Sequence, residues 1–454
     1  MLRLRPAPTV VLGLAAVLAL AGCDRGGSSG TTTTAAPPAS SAIVCGTYTG
    51  QGCAPASERV DLARPSFTHP TRITNPLFPI GRLRSALLLG HVEGKPFRTE
   101  TTLLPRTTTV NWDGRRVRVL LSQYVAYLDG RLEEVALDRY AQADDGSVWY
   151  FGEDVFDYRN GAVVFTEGTW LAGREGPAAM IMPGHPKVGD VFRTENAPGI
   201  VFEEVTVKSL DETVDGPRGP VQGAMMAAEL HSDGTSEEKI FAPGYGEFRT
   251  SGGGDLEALA LAVPADALAG PPPADLKALT IGSVAILESA RLEDWEAAGA
   301  TLRRMNDAWK VLESTTPPMV ADRMVSGLGS LKRAVIARKP AETAQAAIDV
   351  GQSALDLELR YRSPAEINAD RFVLWTQQLR VDAAAKNLAG VTGDVAVLEW
   401  IRDRIGQTLD VAERREVDGR LRDLRAAADA GNLPSAADHA ARLAARLRDL
   451  LSAR

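Results

Sequence analysis

Residues 107–127 read Thr107-Thr108-Thr109-Val110-Asn111-Trp112-Asp113-Gly114-Arg115-Arg116-Val117-Arg118-Val119-Leu120-Leu121-Ser122-Gln123-Tyr124-Val125-Ala126-Tyr127. Two runs rich in β-branched and aromatic residues flank an Asp-Gly pair. In the second run Val117, Val119 and Leu121 alternate with Arg116, Arg118 and Leu120, the period of two that belongs to a strand. Asp-Gly between two such runs predicts a hairpin, because the tight turn that matches strand twist needs left-handed backbone at both central residues. Upstream, residues 98–105 and 107–112 are Thr-rich and alternating. Downstream, Asp129-Gly130 leads into 132–140, Asp145-Gly146 into 148–151 and Asn160-Gly161 into 162–165. Turns this close together predict an antiparallel meander, since parallel strands need long crossovers. Further strands are expected at 200–210, 221–231 and 237–241, and around Phe248. Residues 60–262 therefore read as an antiparallel all-β domain: a meander forming a curved sheet, a sandwich or a half-barrel.

Residues 263–275 contain Pro264 and the triplet Pro271-Pro272-Pro273, a stiff linker. Beyond it the period changes. Trp295, Ala298, Leu302, Met305, Trp309 and Leu312 step by three and four along one helical stripe, and Val417, Leu421, Leu424 and Ala428 repeat the pattern. Ser363-Pro364-Ala365-Glu366 is a helix start with a capping Ser, a first-turn Pro and a Glu placed to reach back. Six or seven helices with short joints predict an all-α helical bundle over 276–454. The fold class is α+β and multidomain.

The chain has 454 residues, a formal charge of −8, 44% hydrophobic and 24% charged residues. That balance is globular, and the weak negative charge gives no electrostatic basis for binding nucleic acid. At the N-terminus, Arg3 and Arg5 precede an uncharged apolar run at 10–20, which ends in Leu20-Ala21-Gly22-Cys23. The run is shorter than the roughly 20 apolar residues a membrane span needs. Residues 1–22 resemble the bacterial lipoprotein signal peptide, with its lipobox at Leu20, Ala21, Gly22 and Cys23. The resemblance implies cleavage before Cys23, lipidation of Cys23, and a membrane-anchored protein on the extracytoplasmic face. Residues 23–59 are mostly Gly, Ser, Thr, Ala and Pro, a flexible tether. Within it Cys45 and Cys53 form an even pair that an oxidising compartment would join as a small disulfide loop.

Five phrases in the β-region occur together: Asn75-Pro76-Leu77-Phe78-Pro79, Trp149-Tyr150-Phe151-Gly152-Glu153-Asp154, Gly168-Thr169-Trp170-Leu171-Ala172-Gly173, Met182-Pro183-Gly184-His185-Pro186-Lys187-Val188-Gly189-Asp190 and Ala242-Pro243-Gly244-Tyr245-Gly246. In these, residues 71–248 resemble a group of uncharacterised exported bacterial β-domains. The resemblance implies a secreted antiparallel domain and brings no activity with it. The group often carries a cysteine near the position of Ala224 or Met225, which this chain lacks.

Candidate sites are few. The five histidines, His69, His91, His185, His231 and His439, never fall four apart on a helix, and no spacing of nucleophile and base or of metal ligands stands out. No catalytic residue, metal or cofactor is read from the chain. His185, in a Pro-Gly-His-Pro turn beside Lys187 and Asp190, is either a ligand or base on a loop or a residue of the turn alone. Glu153, Asp154 and Asp157 lack the ordered offsets of a calcium loop and are expected at a sheet edge. Asp349, Asp356, Asp370, Asp382, Glu399 and Asp403 are expected in salt bridges on solvated or partly buried faces, with Arg360, Arg371 and Arg380 spaced to neutralise them. Alternation puts Trp149 and Phe151 on one face of a strand and Tyr150 on the other. Trp149, Phe151 and Trp170, with His185, are thus the possible ligand-facing residues of a concave sheet.

The expected function is non-enzymatic binding or scaffolding in the cell envelope. The partners are the membrane, through the lipid, and an apolar small molecule or an envelope protein. The rivals are an envelope hydrolase using His185 with nearby acids, and a bundle that binds a partner protein through its Arg- and Glu-rich faces.

Overall fold

The computed structural model describes residues 53–452, together with the backbone of residues 44–45 and 48–49. Residues 1–22 and Cys23 lie outside the described residues. β1 (Val44–Cys45) and β2 (Tyr48–Thr49) form a small antiparallel pair. A 14-stranded sheet follows, made of β3 (Ser85–Val92), β4 (Lys95–Trp112), β5 (Arg115–Leu128), β6 (Arg131–Gln142), β7 (Val148–Arg159), β8 (Ala162–Phe165), β9 (Trp170–Leu171), β10 (Ala179–Met182), β11 (Val191–Ala197), β12 (Val201–Gly216), β13 (Gly219–His231), β14 (Ser236–Ala242), β15 (Gly246–Gly252) and β16 (Asp255–Val263).

Every ladder of the sheet is antiparallel, as the turn spacing predicts. One meander runs from β3 through β7 to β10 and another from β11 to β16; β16 pairs with β3 and joins them side by side. The path therefore begins and ends on β10 and β11, which lie against each other without a ladder. The sheet is curled into an open barrel with one unladdered seam. The Asp113-Gly114 turn has φ of 53° and 71°, left-handed at both positions, and Asp129-Gly130 (50° and 74°) repeats it.

Strands β3, β4, β7 and β16 differ from the sequence reading, and the described residues form eight helices where six or seven are expected. The strands expected at 98–105 and 107–112 are one strand, β4, with its register shifted between Leu103 and Thr107. β7 continues eight residues past 151. It takes Glu153, Asp154 and Asp157 into the ladder with β6 instead of leaving them at a sheet edge. β3 and β16, neither read as strands, join the two meanders. Leu87, Leu89, Leu261 and Val263 of this pair pack outward on helices, while Ala86, Leu88, Leu259 and Ala262 pack on the other side. With both faces covered, such strands read as continuous apolar runs without alternation.

Eight helices follow: α1 (Ala274–Arg291), α2 (Trp295–Leu312), α3 (Pro318–Ile336), α4 (Pro340–Glu358), α5 (Pro364–Ala384), α6 (Leu388–Ile405), α7 (Val411–Asp429) and α8 (Leu433–Ser452). Ser363 caps α5 with the full capping box, and Ala298, Leu302, Met305 and Trp309 are buried on α2 as their spacing predicts. The helices form two groups of like connectivity. α1 touches α2 and α4, and α3 touches its neighbours α2 and α4; α5 touches α6 and α8, and α7 touches α6 and α8. The first group shares its core with β3 and β16, the second with β5, β6 and β7. The Pro-rich stretch between sheet and helices is docked to both. Asp266 is fully buried and accepts from the Ala262 N–H (2.7 Å) and the Tyr245 hydroxyl (2.9 Å), while the Leu268 N–H donates to the Arg360 carbonyl at 2.6 Å.

Candidate functional site

Period-two alternation sends one set of strand side chains into the barrel and the other toward solvent or the helices. The inner set is unusually acidic. It includes Glu203 and Glu229, Glu247 and Glu257, and Asp138 and Glu153 on β6 and β7, which are direct ladder partners. Inside the barrel Lys239 Nζ lies 2.7 Å from Glu229 Oε2 and 3.7 Å from Glu247 Oε1, and the His231 ring lies between Glu203 and Glu237.

A cavity of about 70 Å³ opens among these groups, walled by Phe78, Leu83, Tyr124, Tyr140 and Tyr245 and by the carboxyls of Asp138, Glu247 and Glu257. One water needs roughly 10–15 Å³ of such space, so the cavity takes several waters or one small ligand. The Glu257 carboxyl accepts from the Thr99 hydroxyl. Burial, reinforced by the nearby Glu247 charge, pushes it up to about 7. Asp138 accepts from the Tyr150 hydroxyl at 2.8 Å. Burial, with Glu153 adding to it, raises Asp138 to about 6. Burial would also raise Glu247, but Lys239 and the Thr250 hydroxyl hold it below its ordinary value. Around Lys239 burial opposes the charge, yet Glu229, Glu247, Glu203 and Glu237 keep it an ammonium.

The five sequence phrases meet at this end of the barrel. Asn75 donates to the Pro183 carbonyl (2.9 Å) and the Gly146 carbonyl (3.1 Å), and the Gly244 N–H donates to the Pro76 carbonyl at 2.8 Å. Phe78 packs edge-on to Tyr140 (centroids 5.0 Å apart), Tyr140 stacks on Tyr150 (4.9 Å) and Tyr150 meets Trp170 edge-on (5.5 Å). Residues 75–83 therefore plug the barrel over the cavity.

Of the four possible ligand-facing residues, Trp149, Phe151 and Trp170 are buried in one apolar core and His185 lies apart, and none of the four lines the cavity. Trp149 is buried and donates to the Ser147 hydroxyl at 2.8 Å. Phe151 is buried on the opposite face from Tyr150, edge-on to Phe67 and Trp112. Trp170 is fully buried against Tyr150 and donates to Glu195 at 3.3 Å. His185 is exposed on the loop between β10 and β11 and makes no side-chain hydrogen bond or ion pair among the described residues. The rings that wall the cavity are instead Phe78, Tyr124, Tyr140 and Tyr245, and its carboxyls are Asp138, Glu247 and Glu257. The sequence signal for them is faint, because an acidic residue at an alternating position reads as the solvated face of a strand. Cys53 is buried and disulfide-bonded. The side chain of Cys45, its expected partner, lies outside the described residues.

A second charge cluster fastens barrel to helices. Arg98 on β4 bonds Asp356 on α4 through two nitrogens (2.6 and 2.8 Å) and Glu100 at 2.6 Å. Arg371 on α5 reaches Asp356 at 2.7 Å, and Arg404 on α6 bonds Glu100 and Gln123. Asp356 is in salt bridges as expected, but it is wholly buried and not on a solvated or partly buried face, and its main partner comes from the sheet. Of the three arginines spaced to serve the acids, Arg371 does so. Arg360 donates instead to the Asp266 and Thr315 carbonyls, and Arg380 to Gln377. Burial would raise Glu100, but Arg371, Arg98 and Arg404 hold it well below the usual carboxylate range; Asp356 is lowered likewise by Arg98 and Arg371.

Compared with models of known families and with curated proteins, the chain matches none. Among the described residues no helix is long and apolar enough to cross a membrane.

Proposed function

We propose that this chain is an exported, lipid-anchored binding protein of the cell envelope, working without catalysis, and that the barrel cavity takes a small organic cation. One observation carries the reading: buried carboxyls with raised proton affinity, Asp138 and Glu257, face a cavity walled by four aromatic rings. An ammonium placed there gains the counter-charge role that Lys239 fills elsewhere in the barrel, and cation–π contact with the rings. The apolar part of such a ligand has Ile80, Leu83, Ala86 and Leu88 to pack on. Few convergent polar groups in a mostly apolar pocket are the usual design of a small-molecule site.

The hydrolase alternative asks His185 to find a nucleophile or an orienting acid within hydrogen-bond reach. On its exposed loop it bonds neither. The anchor rests on the lipobox resemblance at Cys23. Replacing Cys23 by Ser should move the chain from the membrane to the soluble fraction. Unchanged membrane retention and processing would remove the anchor from the reading.

The cavity is tested by calorimetry on the purified chain with tetramethylammonium, choline and putrescine. At least one should bind in 1:1 ratio, weakened tenfold or more by Glu257→Gln. If none binds and none raises the melting temperature, the cation reading fails.

A further inference from the structure

The geometry points to a second, independent site: a divalent transition metal of the zinc class bound by His231, Glu203 and Glu229 at the β12–β13–β14 end of the barrel. Glu203 and His231 are direct cross-strand partners, and Glu229 lies two residues before His231 on the same face. One donor atom from each lies within 4.8 Å of the other two. His231 Nδ1 is 3.7 Å from Glu203 Oε1. Two ligands each ~2.0–2.2 Å from a tetrahedral zinc lie roughly 3.3–3.5 Å apart, a span the His231–Glu203 pair reaches with a small contraction.

What surrounds these atoms carries the inference further than the cluster alone. Each ligand has its remaining polar atom addressed by a neighbour. The Thr194 hydroxyl lies 3.3 Å from Glu203 Oε2 and 3.3 Å from Glu229 Oε1, which turns the two carboxylates toward each other. Lys239 holds Glu229 Oε2 at 2.7 Å and is offset by Glu247. On the far side of the ring, His231 Nε2 faces Glu237 Oε2 at 3.6 Å, beyond hydrogen-bond length. Both atoms are buried and neither makes a hydrogen bond, although Glu237 is only 6% exposed.

The Glu237 carboxylate stands on the Nε2 side of the ring, opposite Glu203 at Nδ1. Carboxylate, histidine and metal in that order is how proteins orient metal-bound imidazole. The four carboxylates Glu203, Glu229, Glu237 and Glu247 face the Lys239 ammonium and the His231 ring. A divalent ion therefore reduces a local excess of negative charge. The His231 side chain, 12% exposed next to the β13–β14 turn, gives the ion a way in.

The test is zinc titration of the metal-stripped full chain by calorimetry, with X-ray absorption at the zinc edge. We expect one zinc per chain. His231→Gln and Glu203→Gln should weaken binding at least 100-fold, and Glu237→Gln about 10–100-fold as an orienting residue. Glu238→Gln, on the other face of β14, should leave it unchanged. The absorption spectrum should show one imidazole with oxygen ligands at about 2.0–2.1 Å. Absence of saturable zinc, equal affinity in the ligand variants, or a spectrum without imidazole overturns the site. Should the ligand variants fail to fold, the spectrum of the unaltered chain decides alone.

Discussion

Glu257 and Asp138 inside the barrel hold their protons up to about 7 and 6, whereas at the barrel–helix interface, as deeply buried, Glu100 gives its proton up well below the ordinary range and Asp356 below it. Burial pushes all four the same way. The difference lies in the neighbours. Glu257 faces Glu247, and Asp138 faces Glu153, while Glu100 and Asp356 share Arg98 and Arg371, and Glu100 has Arg404 besides. The interface acids are thus neutralised by residues of this chain and serve to join its two parts. The barrel acids near the cavity are left short of positive charge, and that shortage is what the proposed cation would relieve.

The comparison breaks most sharply at Arg98. Arg98→Met leaves Glu100 and Asp356 each short of a partner, and removing one member of a buried ion cluster costs about 3–5 kcal/mol. Urea unfolding should show a loss of that order. A loss below about 1 kcal/mol would mean that Arg371 and Arg404 neutralise both acids unaided.

The next effect is a pair of opposite pH slopes. Glu257 goes from an ordinary 4.5 to about 7 in the folded chain, so the folded state binds its proton more tightly. Stability through this group falls as pH rises from about 4.5 to about 7, by on the order of 3 kcal/mol at about 1.36 kcal/mol per unit. Glu100 and Asp356 are depressed, so their contribution is complete above about 4.5 and is lost as pH falls below it. Glu257→Gln should flatten the upper slope and leave the acid limb unchanged in melts taken from pH 3 to 8. An unaltered upper slope would show that Glu257 does not carry the excess charge.

The smallest effect sharpens the comparison by contrast. Lys310 and Asp307 pair at 2.9 Å on the outer face of α2 with both side chains 73% exposed. Lys310→Ala should change the unfolding free energy by no more than about 0.5 kcal/mol, since solvent already screens both charges. A larger loss would mean that ion pairs stabilise this chain by number rather than by burial.

Local pattern carried much of the fold. Asp-Gly and Asn-Gly turns, alternating runs and three-four helical stripes each depend on residues close in sequence, and an antiparallel sheet followed by helices follows from them. The Ser363 cap and the buried stripe of α2 were legible for the same reason. The cavity was less so. Trp149, Phe151 and Trp170 stand out in the sequence, yet Tyr124, Tyr245 and Phe78, from three distant segments, line the cavity. His231 showed no ligand spacing because Glu203 reaches it across a strand pair.

The sequence by itself determined which stretches bend, which extend and which coil. Only the tertiary structure decided that β3 and β16 are strands, that the sheet curls until β10 meets β11, and that acids such as Asp356 and Glu257 are buried at all. A turn or a helix stripe is set by neighbours a few residues away. Whether a charge sits in water or in protein depends on what packs over it, and here Asp356 meets an arginine 258 residues distant.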